Sequence, residues 1–208
     1  PDFASTRAWL LETLETTLEL LEKVPDTDDA LYFYRLALFH EDLLGERLMV
    51  LAQTLGVPLK LGLPGLASPR EPLGVPATRW QLGSTPGGFV FDNEKWAHPV
   101  AVPAFEIDAQ PVNWSQFVEF VDDGGYDQPA FWHPDGWTWL RARAAGGGRH
   151  GPRHVEQIGV ARFGGLGAVL QSRFGQPVRL AGHHAVTHVS WWEADAWCRW
   201  AGRRLPDE

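Results

Sequence analysis

The chain has 208 residues, 44% of them hydrophobic and 21% charged, which is enough for one large or two small globular domains and excludes a disordered composition. Its net charge of −8 is concentrated at the start: residues 1–56 hold 11 acidic against 4 basic side chains, residues 57–208 hold 15 against 14. No basic footprint for nucleic acid is present, no apolar run approaches the ~18–20 residues of a membrane helix, and the single Cys198 rules out an intrachain disulfide and fits a reducing, cytoplasmic setting.

In chain order, a first helix is expected from Thr6 to Lys23, capped by Ser5 and ended by Pro25, with Leu10, Leu14, Leu18 and Leu21 as its apolar stripe. A second is expected from Asp29 to Leu55, closed by Gly56. Apolar residues cover much of its circumference (Leu31, Tyr34, Leu38, Leu43, Leu48), the pattern of a helix buried on several sides in a bundle. The acidic residues of this part read either as a solvated helix face or as a functional acidic patch. Residues 57–77, rich in Pro and Gly, form a linker and set a domain boundary.

The remainder reads as α+β. Trp80–Ser84 and Val100–Ile107 are expected strands. Asn113-Trp114-Ser115-Gln116 and Ser190-Trp191-Trp192-Glu193 are capping boxes, opening helices that run to Asp122 and Ala201 and stop at Gly124 and Gly202. Ala144 to Gly151 is a Gly-rich loop. Ten of the 11 Trp follow Gly56, so this part must build an aromatic core or cleft. The start at Pro1 and the stop just after a helix are those of an interior fragment, truncated at both ends.

Few residues carry recognisable chemistry. His40 lies mid-helix, but the i+4 position that would complete a helical pair of metal ligands is Leu44. His183, His184 and His188 could meet a metal across a turn, or be loop polarity with one buried His. His150 and His154 have the i, i+4 spacing, with Gly151 and Pro152 between them. Trp132 to Trp139 reads either as an aromatic wall for a cationic ligand or as core aromatics. Cys198 reads as a buried small apolar residue. Nucleophile elbows, phosphate loops and Cys-x-x-Cys are absent.

Five ordered motifs add a family resemblance: Phe91-Asp92-Asn93-Glu94; Phe105-Glu106-Ile107-Asp108 with Pro111-Val112; Asp123-Gly124-Gly125-Tyr126; Gly136-Trp137-Thr138-Trp139; and His188-Val189-Ser190-Trp191-Trp192-Glu193-Ala194-Asp195. Over residues 78–208 the chain resembles the C-type-lectin-like formylglycine-generating-enzyme (sulfatase-modifying-factor) domain, in the subgroup of ergothioneine and selenoneine synthases. Leu31 to Asp42 resembles the last helix of the DinB-like four-helix domain that precedes it in those enzymes, so residues 1–56 are expected to be part of that bundle. Pro152 to Gln157 and Val169 to Gly175 look closer to the selenoneine branch.

The resemblance implies a non-haem Fe(II) centre that uses O2 to join sulfur or selenium to the imidazole of trimethylhistidine. The donor would be a thiol or a selenosugar. His40 is then the expected metal ligand, and Trp137, Trp139 and His154 the expected substrate contacts, with the catalytic residue unassigned. Two alternatives stay open: a divergent, non-catalytic small-molecule-binding member, and a formylglycine-generating enzyme.

Overall fold

The computed structural model describes residues 2–62, 70–148, 150–159 and 169–207. Part of the expected linker and one residue of the Gly-rich loop therefore lie outside the described residues. The chain divides into two compact units: Pro1–Met49 with Gly74–Phe105, and Val50–Leu73 with Glu106–Glu208. The units interleave along the chain, with one boundary inside the second helix.

In the first unit, α1 runs Phe3–Leu21 and α2 begins at Asp28, continuing to Leu55 in the second unit. The cap of α1 is Asp2 rather than Ser5: its carboxylate accepts from the Ser5 N–H at 2.8 Å. A carboxylate at this end also opposes the positive pole of the helix. The leucine stripe of α1 and Leu38, Leu43, Leu44, Leu48 and Leu51 of α2 are exposed, so the multi-sided burial expected for the second helix is not seen among the described residues. The apolar contact α2 does make in this unit is aromatic. Phe89 lies 5.1 Å from Tyr32 and 5.2 Å from Phe39, with Phe91 4.9 Å from Phe89. Asp28 pins the loop that brings them there, accepting from Gly88 N at 2.6 Å and from Arg35 at 2.7 Å.

Strands β1 (Leu73–Val75), β2 (Thr78–Leu82), β3 (His98–Val102) and β4 (Phe105–Ile107) follow. β2 and β3 pair antiparallel, Thr78 opposite Val102 and Leu82 opposite His98. β1 falls within the segment expected to be linker. The single strand expected over Val100–Ile107 is two, broken around Pro103, which has no N–H to give a ladder.

The core of the second unit is built by α3 (Trp114–Asp122), α4 (Pro134–Ala145), α5 (Trp191–Trp200) and the antiparallel sheet β5 (Val155–Gln157), β6 (Val169–Arg173), β7 (Gln176–Leu180). Trp114, Phe117, Val118 and Phe120 of α3 are buried against Leu140, Val169, Leu180 and Trp197. Both capping boxes form as expected. α4 forms where no helix was expected: His133 caps it, Pro134 takes the first turn, and Gly136 lets Trp192 approach. A Cβ on Gly136 would sit 2.9 Å from the Trp192 ring.

The β6–β7 turn is Phe174-Gly175, both with positive φ (+47° and +74°), the geometry of a two-residue hairpin. Gln53, near the C-terminal end of α2, holds this turn. Its amide donates to Ser172 O at 2.8 Å and accepts from Phe174 N at 2.9 Å. A bulky residue with φ of +47° is thereby fixed through its own N–H.

Candidate functional site

His40 sits on α2 in the first unit and is exposed, as is Leu44 one turn later. Glu41 and Asp42 adjoin it in sequence but lie round the helix from it. Among the described residues no three His, Cys, Asp or Glu side chains are grouped to hold a metal ion. The residues present therefore do not make up a three-ligand iron site, and no chemical step is derived through one. The cluster considered for His183, His184 and His188 does not assemble either. Their segment is instead laid along the start of α3: Trp114 N donates to His184 O at 3.0 Å and Ser115 N to Gly182 O at 2.9 Å.

The other expected site residues belong to the second unit. Trp137 and Trp139, two apart on α4, are partly buried and packed against the core. Each engages a guanidinium with its ring, Arg141 at 6.0 Å from Trp137 and Arg143 at 5.5 Å from Trp139. These indoles are thus oriented to attract cations, and part of that capacity is taken by the chain's own arginines.

His154 is brought against His188, a partner its spacing in sequence gave no sign of. The ring centroids are 4.9 Å apart, edge to face. The His188 imidazole is held below its ordinary pKa, first by burial of the ring and then by the charges of His154 and Arg173. His150, four residues before His154, goes elsewhere and stacks on Tyr126 at 6.3 Å. The intervening Gly151 has φ of +155°, so no helix places the two on one face.

Behind α5 lies a buried polar network that sequence reasoning saw only in part. Glu193 completes the capping box with Ser190, as its spacing required. It is also 1% exposed and accepts from the Tyr126 hydroxyl at 2.7 Å, with Arg143 at 3.7 Å. Burial, and then the carboxylate of Glu193, push the Tyr126 phenol far above its ordinary pKa. This network joins the Gly-Gly-Tyr corner, α4 and α5, and stiffens the frame on which Trp137 and Trp139 stand. Cys198 is buried as expected, and burial pushes its thiol up as well. A thiol so placed is a packing group.

Comparison with known proteins bears on these residues. Residues 67–208 match the family described as the sulfatase-modifying factor enzyme 1-like domain. The chain is 34% identical over 216 aligned positions to hercynine oxygenase of Mycolicibacterium smegmatis, covering 99% of this chain and 45% of that protein. It is 31% identical to hercynine oxygenase of Mycolicibacterium thermoresistibile, covering 99% of this chain and 44% of that one. To the formylglycine-generating enzyme of Mus musculus it is 31% identical, over 70% of this chain and 41% of the relative. The chain thus spans less than half the length of these relatives.

Proposed function

The chain belongs to the sulfatase-modifying factor enzyme 1-like family, and from that premise we propose that it is part of an oxidoreductase of the hercynine oxygenase type. One observation carries this reading. Similarity to the hercynine oxygenases of M. smegmatis and M. thermoresistibile extends over 99% of the chain, through α1 and α2, whereas similarity to the mouse formylglycine-generating enzyme covers 70%. The longer match favours hercynine, that is trimethylhistidine, over a sulfatase cysteine.

In this reading residues 1–56 are the C-terminal part of a DinB-like bundle, 57–77 a linker and 78–208 the N-terminal part of a formylglycine-generating-enzyme-like domain. The protein uses non-haem Fe(II) and O2 to join a thiol, or a selenosugar in the selenoneine variant, to the imidazole. Imidazole ligation with open coordination positions suits that chemistry. His40 supplies one ligand. Trp137 and Trp139 contact the substrate, their indole faces suiting a trimethylammonium group. His154 contacts the substrate.

A second reading, a divergent binding member without catalysis, is favoured by Leu44, which stands where a helical His pair would place its second ligand. Bound iron in the full-length protein separates the two. The enzyme reading predicts about one Fe(II) per chain with Leu44 in place, lost in His40→Ala. Iron that binds only after Leu44→His would establish the binding-only reading.

A further inference from the structure

His154 and His188 both hold their backbones in the left-handed region, with φ of +60° and +64°. Residues other than Gly adopt it seldom, His more readily than most, and two such residues in contact are held there by their surroundings. The imposing contacts are visible. Ser172 N donates to His154 O at 2.7 Å, and Arg153 N donates to His188 O at 3.1 Å, so each histidine is fixed by a neighbouring segment. The rings then meet with centroids 4.9 Å apart. Arg173, next to Ser172 at the end of β6, is close enough to act electrostatically on His188, as is His154.

His154 and His188, each able to carry positive charge, thus meet from the approaches to β5 and α5, and Arg173 follows directly on Ser172, whose N–H holds His154. Among the described residues none of the three has a carboxylate in ion-pair range. His133 and His150 differ in this respect, with Asp135 at 3.6 Å and Asp127 at 3.7 Å. The groups acting on His188 are of like sign, which opposes its protonation. A bound cation would meet the same opposition from Arg173, and two imidazoles alone fall short of an ordinary metal site. A bound anion reverses the balance, pairing with the guanidinium and favouring imidazolium.

We propose that His154, His188 and Arg173 form a binding site for the oxyanion of a small molecule, a carboxylate or a phosphate. The site shares His154 with the substrate contact proposed above and so deepens that reading, while anion binding is read without turnover. Backbone hydrogen bonds hold both histidines of the site.

The test is made on full-length protein labelled with 13C at histidine Cε1, titrated at constant ionic strength with inorganic phosphate or acetate against chloride. His154→Asn and His188→Asn assign the two resonances, Asn being tolerated at these φ values. Both resonances are expected to shift saturably, the His188 titration midpoint to rise at saturation, and Arg173→Gln to weaken binding at least tenfold with an unchanged unfolding midpoint. Saturation by phosphate alone identifies a phosphate-bearing ligand, and by acetate alone a carboxylate. If Arg173→Gln does not fold, loss of the His188 shift in His154→Asn carries the same test. No saturable shift with either anion, or a shift unchanged in the folded variants, overturns the proposal.

Discussion

Glu193 is 1% exposed, yet four contacts converge on its carboxylate: the Tyr126 hydroxyl, the Ser190 N–H and hydroxyl, and Arg143 at 3.7 Å. A buried charge keeps its place only when so surrounded, and removing it orphans the donors. Glu193→Ala is therefore expected to cost about 3 kcal/mol or more in denaturant unfolding, and Tyr126→Phe about 1–2 kcal/mol. A loss below 1 kcal/mol for Glu193→Ala would mean that water takes over its role. His188 gives a pH dependence. Its folded pKa lies below 6.5, so between the two values the unfolded chain binds the extra proton and the native one does not. Stability attributable to this group is complete above pH 6.5 and is lost as pH falls through the folded value. His188→Asn should flatten the fall in unfolding free energy between pH 7 and pH 5; an unchanged slope would assign that fall to other groups.

At the scale of elements, legibility followed local chemistry. Both capping boxes were readable because the side chain and the N–H it accepts from lie three residues apart, and both formed. α4 was missed because Asp135-Gly136 reads as a turn, although Pro134 marked a helical first turn. Its Gly136 serves tertiary packing against Trp192, which no local rule encodes. The β6–β7 hairpin was missed for a similar reason: its turn places Phe174 at φ of +47°, against propensity, and Gln53, more than a hundred residues away, holds it there. Gln53→Ala should remove both hydrogen bonds and cost about 1–3 kcal/mol, and should increase amide exchange in Ser172–Gln176 more than in α3. Equal exchange in the two segments would contradict the clamp.

For the molecule as a whole, the family was legible from five short motifs, and the domain match over residues 67–208 agrees with them. The candidate site was far less legible. His154 was expected, but its partner His188 and Arg173 come from segments that spacing along the chain does not connect; the Arg153–His188 and Ser172–His154 backbone hydrogen bonds join them. Trp137 and Trp139 stand on a helix that no expected element covered. His40 has Leu44 one turn on, and among the described residues no three metal-capable side chains group, so the activity rests on the length of the similarity rather than on an assembled site. The most direct measurement is turnover by full-length protein supplied with Fe(II), O2, hercynine and a thiol or selenosugar donor, followed by mass spectrometry. The account predicts a product with sulfur or selenium bonded to the hercynine imidazole, abolished by His40→Ala. Unchanged hercynine together with oxidation of a sulfatase-peptide cysteine to formylglycine would contradict it.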